Sequence, residues 1–342
     1  MIIASHRGYC AGVERAVETV ERALEIYGPP VYVRKQIVHN THVVRDLEAR
    51  GALFVESAAA VPKGGRLVLA AHGVAPQVYR TAAARNLATI DATCPLVRKV
   101  HVEVRRFADA GYCVILVGHA GHEEVVGTAG EAPEAVVLVE TLAQAHVVEV
   151  PDPQRVAYVT QTTLSIDETA EIIAALQERF PKIIGPQKED ICYATTNRQR
   201  AVKEILPEIE VLLVIGSRNS SNSARLVETA RTAEVAAHMI EDESEIDENW
   251  LEGRETVGLT SGASAPEKLL VGVCDWFRAR GVTEIAPLAS RSEDVFFKLP
   301  VEVGRVPTHT AVRLDAAGRQ RIRRLDRQSG DELKTMPPSE DQ

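Results

Sequence analysis

The sequence predicts an α/β protein made of three similar units with parallel sheets, and three observations carry that prediction. Short apolar runs alternate with stretches of helical periodicity, the order expected of βα units. Aromatic residues make up only 4% of the chain, while Ala and Val are abundant, which suits thin helices on buried parallel strands. The third observation is an internal repeat. Val114–Gly118 reappears as Val211–Gly216, Tyr158–Thr163 matches Gly258–Ala263, and Asp91-Ala-Thr-Cys94 matches Asp190-Ile-Cys192, at shifts of 97, 100 and 98 residues. Leu67–Gly73 is a looser copy in the first segment. The 342 residues allow two or three domains, and the repeat selects three units at 1–94, 95–191 and 192–282, with a tail at 283–342.

Taken along the chain, the first well-specified element is a helix at 13–27. Val13, Ala16, Val17, Val20, Ala23, Leu24 and Tyr27 recur at three- and four-residue steps, and Gly28-Pro29-Pro30 stops it. Strands are expected at 31–33, 67–70 and 88–90, then a helix at 96–110. In the second unit, strands are expected at 114–117, 135–139, 156–159 and 182–184, with a helix at 166–179. In the third, helices at 197–206, 223–232 and 266–280 alternate with strands at 211–215, 235–237, 256–259 and 284–286. The tail holds a cluster of Arg319, Arg321, Arg323, Arg324 and Arg327, read as a solvated face, and is expected to be mobile beyond about residue 330.

Composition narrows the function. Hydrophobic residues at 45% and charged residues at 25% are a globular mix. A net charge of −9 argues against a diffuse nucleic-acid footprint, though a local pocket can still take an anion. No apolar run approaches the ~20 residues of a membrane span, and the N-terminal apolar stretch is too short for a signal peptide, so a cytoplasmic protein is expected. There is no Walker lysine and no GxGxxG loop, which argues against nucleotide hydrolysis or a built-in nicotinamide site.

Five cysteines without CxxC spacing make neither a disulfide framework nor a zinc ribbon. Context separates them. Cys10, Cys94 and Cys192 each stand just before a helix, one in each repeat, where a helix N-terminus favours the metal-binding thiolate. Pro95 fits the first helical turn after Cys94. Cys113 begins an apolar strand and Cys274 lies inside a helix, places where a thiol packs as a small hydrophobe. Three thiolates at one centre suit an iron–sulfur cluster with one open iron, and zinc held by three cysteines and a histidine is the competing reading.

The second group of candidates lies in polar loops after strands. These are His39, His72, His122 with Glu124, Thr162 with Thr163, Ser220-Ser221-Asn222, and Ser264. In parallel α/β sheets, ligands bind outside the carboxyl ends of strands, so three such units would aim these loops at one centre. Histidines, hydroxyls and helix N-terminal amides together make phosphate ligands. A carboxylic acid beside them can deliver protons, and Glu124 is the candidate, with Glu123 expected to point away.

With these residues in place, the chain resembles the 4-hydroxy-3-methylbut-2-enyl diphosphate reductase (IspH/LytB) family. The matching motifs are Arg-Gly-Tyr-Cys10-Ala-Gly, Val-His39-Asn, Ala-His72-Gly-Val, Asp-Ala-Thr-Cys94-Pro-Leu-Val, Gly-His122-Glu-Glu124-Val, Thr160-Gln-Thr-Thr-Leu-Ser165, Asp190-Ile-Cys192-Tyr-Ala-Thr-Thr-Asn-Arg-Gln, Gly216–Asn222 and Thr260–Pro266. The ordered set runs to about residue 300. The resemblance implies pseudo-three-fold α/β units around a 4Fe–4S cluster, with Cys10, Cys94 and Cys192 as its ligands. It implies that His39, His72, His122, Thr163, Ser220, Ser221, Asn222 and Ser264 hold a substrate diphosphate, that Glu124 supplies protons, that Thr162 lies near the substrate hydroxyl, and that His122 belongs to the catalytic group. The implied reaction is a reductive dehydroxylation giving isopentenyl and dimethylallyl diphosphates, the last step of the non-mevalonate isoprenoid pathway, with electrons from ferredoxin, flavodoxin or a similar donor. Two features depart from the family pattern: Glu123 stands where family members often have Pro, and the stretch beyond about Pro300 exceeds the usual length. The competing readings are a quinolinate-synthase-like dehydratase on a similar plan and a non-enzymatic zinc or electron-transfer protein.

Overall fold

The computed structural model describes residues 1–287 and 293–304, together with the short strands at 312–314 and 320–322. The chain enters on β1 (Ile2–Ile3) and passes into α1 (Ala11–Tyr27), β2 (Val31–Arg34), α2 (Thr41–Ala49), β3 (Ala52–Val55), β4 (Arg66–Leu69), α3 (Pro76–Ala84) and β5 (Ala88–Asp91). It continues through α4 (Pro95–Asp109), β6 (Cys113–Val117), α5 (Glu123–Ala129), β7 (Val136–Val139), α6 (Leu142–Val147), β8 (Val156–Thr160) and α7 (Ile166–Arg179). Then come α8 (Tyr193–Ile205), β9 (Val211–Ile215), α9 (Ser221–Thr232), β10 (Ala236–Ile240), β11 (Val257–Ser261), α10 (Glu267–Ala279), β12 (Ala286–Pro287) and α11 (Val301–Gly304).

These strands build three parallel sheets, ordered β3-β2-β4-β5, β7-β6-β8 and β10-β9-β11-β1-β12. One order recurs. The first strand of each unit lies between its second and third, and a fourth position follows beside the third. In the first sheet that fourth position is β5, which leads to Cys94. In the third it is β1, at the other end of the chain, which leads to Cys10. In the second it shrinks to a single bridge between Ala157 and Ile184, on the path to Cys192. The strand expected at 182–184 is therefore replaced by this bridge, anchored by Tyr158 N–H donating to Ile184 O and Ile184 N–H donating to Val156 O.

Each sheet is covered on both faces, as parallel sheets require. In the first, α1 packs Ala16, Val20, Ala23 and Leu24 on Val31, Val33 and Ile90, while Leu67, Leu69 and Ala82 fill the other face. The second has Ile115, Val117 and Leu176 on one face and Val104, Leu116 and Val125 on the other. In the third, Leu213 and Ile215 face α10 through Leu269, Leu270 and Val273, and Leu212 and Val214 face α8 and α9 through Ile205 and Leu226. All five residues of β9 are buried, which explains its unbroken apolar run. Cys274 is buried in one of these cores, and Cys113 opens β6.

The expected helices appear with shifted ends. The one expected from residue 197 begins at Tyr193, because its first turn, Tyr-Ala-Thr-Thr, carries little apolar periodicity. α2, α3, α5 and α6 are short and were not anticipated. Residues 305–342 form a unit of their own, in which β13 (Val312–Leu314) and β14 (Gln320–Ile322) pair antiparallel. The expectation for the tail beyond about residue 330 falls outside the described residues.

Candidate functional site

The three cysteines occupy one structural position. Cys10, Cys94 and Cys192 are the N-cap residues of α1, α4 and α8. Each backbone N–H donates to a carbonyl in the loop after the neighbouring strand: Cys10 to Ala263, Cys94 to Ala71 and Cys192 to Thr162. Those carbonyls come just before Ser264, His72 and Thr163, so the hydrogen bonds that seat the cysteines also seat the polar loops. Cys192 Sγ additionally accepts from Thr195 N–H at 3.4 Å and lies 3.2 Å from Thr195 Oγ1.

These groups open on one cavity of about 690 Å3 including its mouth. Its lining contains Cys10, Cys94, Cys192, His39, His72, His122, Glu124, Thr162, Thr163, Ser220, Ser221, Asn222 and Ser264, every candidate from the sequence. Val13, Val38, Leu96 and Val97 give the wall an apolar portion. The residues that sequence reasoning missed are Gly12 and Thr195 in the lining and Gln161 beneath it. Gln161 is buried, receives His119 N–H, and donates to Thr163 Oγ1 at 2.9 Å and Ser221 Oγ at 3.2 Å. The signal for Thr195 is its place three residues after an N-cap cysteine.

The imidazoles form a cluster. His39 and His72 stack with centroids 3.9 Å apart, and His122 stands edge-on at 5.4 and 6.0 Å. Burial, with the neighbouring rings, lowers the pKa of His39 to about 4 and of His122 to about 4, and drives that of His72 well below the ordinary value. Three neutral rings can face each other in this way, and an anion among them would favour their charged forms. His122 Nδ1 accepts from Glu124 N–H, which leaves its other nitrogen as a donor. Among the described residues, His39 Nε2 and His72 Nδ1 are buried without a hydrogen-bond partner, as groups that meet a polar ligand would be.

Along the same lining, Ser220 caps α9, and Ser221, Asn222 and Ser264 bond to Thr163 O, Thr195 Oγ1 and His39 O. Their hydroxyl and amide groups, with the amides opening α9, make a mostly neutral anion cradle. A cradle of this kind lets a chain of net charge −9 accommodate an anion locally.

Glu124 is 2% exposed. Burial pushes its pKa up to about 7 against two hydrogen bonds that pull it down: Thr162 N–H donates to Oε1 at 2.6 Å and Thr162 Oγ1 to Oε2 at 3.0 Å. A buried carboxyl held this way is poised to exchange a proton near neutrality. Glu123 points the other way, into Arg34 and Lys35 at 3.1 Å each, as its side chain was expected to do.

Burial raises the pKa of Cys94 to about 12 and of Cys192 to about 11, and raises that of Cys10 with Arg198 opposing. Such thiols ionise when they bind metal. Among the described residues no group of three His, Cys, Asp or Glu closes round a single ion. Space around the thiols is kept open by Gly12, where a Cβ would lie 2.7 Å from Cys94 Sγ and 3.8 Å from Cys10 Sγ. Three soft sulfur donors around such a space fit a cluster.

The family model described as LytB protein matches residues 1–278. The chain is 58% identical over 306 residues to a 4-hydroxy-3-methylbut-2-enyl diphosphate reductase of Acidothermus cellulolyticus, covering 89% of this chain and 90% of that protein. Its fold is similar to the solved E-1-hydroxy-2-methyl-but-2-enyl-4-diphosphate reductase of Plasmodium falciparum, with a TM-score of 0.83 at 38% identity, covering 88% of this chain and 95% of the other. A second solved structure, of (E)-4-hydroxy-3-methyl-but-2-enyl diphosphate reductase, described as the terminal enzyme of the non-mevalonate pathway, matches with a TM-score of 0.59 at 32% identity, over 82% of this chain and 99% of that one.

Proposed function

The chain belongs to the LytB protein family, and from that premise we propose that its central cavity is the place where it carries out the reaction of its reductase relatives. The enzyme is an oxidoreductase that converts 4-hydroxy-3-methylbut-2-enyl diphosphate to isopentenyl and dimethylallyl diphosphates, the terminal step of the non-mevalonate pathway. One C–O bond breaks, two electrons and two protons are taken up, and the hydroxyl leaves as water.

The cofactor we assign is a 4Fe–4S cluster on Cys10, Cys94 and Cys192, which when bound supplies electrons and Lewis-acid character. The remaining work falls to the chain. His39, His72 and His122 take the diphosphate from one side, and Thr163, Ser220, Ser221, Asn222 and Ser264 from the other. Val13, Val38, Leu96 and Val97 receive the branched carbon chain and keep water from it. Thr162 lies near the substrate hydroxyl and holds the Glu124 carboxyl toward it. With its pKa raised to about 7, Glu124 is protonated often enough to act as the acid for the departing oxygen. Electrons reach the site from an external donor of the ferredoxin or flavodoxin kind, in the cytoplasm. Among the described residues no helix is long and apolar enough to cross a membrane. The division into units 1–94, 95–191 and 192–282, with 283–342 apart, belongs to the same proposal; the recurring strand order supports the three units, while β1 and β12 join the third sheet from outside its bounds.

The observation that carries this reading is the convergence of three cysteine-capped helices and the Glu124–Thr162 pair on one cavity. The test is anaerobic incubation with the allylic diphosphate and a reduced dye, followed by product analysis. The protein should be brown as isolated without air, with roughly three to four irons. A colourless protein holding one zinc, or one that leaves the substrate untouched, would overturn it.

A further inference from the structure

Three cations outside the cavity lining share a pattern that the reaction does not require and that the sequence repeat does not reveal. Arg15 on α1 donates to Thr93 O at 3.1 Å and Asp91 O at 3.2 Å, the carbonyls just before Cys94. Lys99 on α4 donates to Lys188 O, to Glu189 O at 3.1 Å and to Asp190 Oδ1 at 2.9 Å, in the turn before Cys192. Arg198 on α8 donates to Gly8 O at 2.7 Å and Arg7 O at 3.4 Å, in the turn before Cys10. Each cysteine-capped helix thus grips the turn of the next cysteine, and the third grips the first. The ring is closed.

We propose that Arg15, Lys99 and Arg198 are positioning residues that lock the three cysteine turns to one another and so hold the thiols at the separation the cluster needs. This rests on the assignment of the cluster to Cys10, Cys94 and Cys192. The chemistry of the three groups suits the task. A guanidinium offers five donors in a fixed fork and can hold two carbonyls of one turn while reaching a third partner. Arg15 uses its Nε on Lys298 O at 2.7 Å, and Arg198 uses its other terminal nitrogen on Glu293 at 3.1 Å. Both arginines therefore also tie the cysteine turns to the segment 293–304. The lysine has three donors and three acceptors to satisfy. Arg15 and Arg198 are buried, and these acceptors offset the loss of hydration there. A closed ring also differs from three separate braces: a shift of any one helix end moves the grip on the next cysteine. With only three protein ligands available, that coupling opposes the splaying through which a cluster would be lost. Partners outside the ligand set commonly matter by about 10–100-fold in metal affinity.

The experiment measures iron release to a chelator from anaerobically prepared protein. Lys99 is the site to change first, since its side chain is 28% exposed and replacing it disturbs packing least. Lys99→Met should release iron at least about tenfold faster than the parent, and Lys99→Arg should restore slow release. Lys203→Met, a surface change on α8, should match the parent. Arg15→Lys, which keeps the charge and loses the fork, tests the Cys94 turn in the same way and stands in if Lys99→Met does not fold. Parental release rates in folded Lys99→Met and Arg15→Lys would overturn the ring. So would failure of both to fold, which would assign these residues to stability alone. A parent without a cluster, or Cys→Ser variants at 10, 94 and 192 that keep full iron, would instead overturn the cluster assignment on which the ring rests.

Discussion

At the scale of single residues, the proposed chemistry turns on Glu124 and Thr162. Glu124→Gln keeps the shape and the backbone hydrogen bond but has no proton to give, so kcat should fall by about 10²–10⁴ with iron content unchanged. Turnover at the parental rate would remove Glu124 from the proton path. The pH dependence follows from the same group. Burial holds its pKa at about 7, and the acid form does the work, so kcat/KM should be full below that value and decline above it. The Thr162 hydroxyl stabilises the carboxylate form. Thr162→Val should therefore slow the reaction while moving the alkaline limb to higher pH, which a pH–rate profile reads directly. The residues that line the cavity stood out in the sequence because each follows an apolar strand and stands in a short polar motif. Thr195 and Gln161 did not. Gln161 bonds to Ser221 on another segment, which nothing local announces, and Thr195 bonds to Cys192 three residues back, where only the N-cap spacing marks it.

At the scale of elements, the recurring device is a helix that begins at the cavity. Its first turn has to leave room for what the cap residue holds, and Gly12 meets that demand on α1. Gly12→Ala improves the helix by about 1 kcal/mol on intrinsic propensity. Its Cβ would nevertheless fall 2.7 Å from Cys94 Sγ. The expected outcome is a protein with parental circular dichroism and much less iron after anaerobic reconstitution. Equal iron loading would show that the thiols can move aside. Long amphipathic helices such as α4 and α7 were readable because their apolar residues recur over several turns. The seven residues of α5, Glu-Glu-Val-Val-Gly-Thr-Ala, span too few turns to show a period, although this helix carries Glu124. Likewise the fourth position of the second sheet looked like a strand at 182–184 and is a single bridge, since apolar side chains there pack without extending the ladder.

At the scale of the whole molecule, the three-unit plan was legible from repeated strand and loop motifs, whereas the way the units interlock was not. β1 is two residues long and pairs with β11, with Ile2 beside Gly258 and Ile3 beside Leu259. No window of local sequence contains both partners. Ile3 is 4% exposed and packs in the core of the third sheet. Ile3→Ala should therefore destabilise the protein by about 2–5 kcal/mol in denaturant titration. Hydrogen exchange should rise at β11 as well as near the N-terminus, and a response confined to the first ten residues would contradict the interlock. The same pairing has a consequence for biosynthesis. The turn that carries Cys10 leaves the ribosome some 250 residues ahead of its template, Val257–Ser261 and the Ala263 carbonyl. The three thiols therefore cannot be gathered one unit at a time as the nascent chain emerges. On the proposed cluster assignment, delivery of iron and sulfide is deferred to a chain synthesised past β11, because a shorter product lacks the Ala263 carbonyl that seats Cys10.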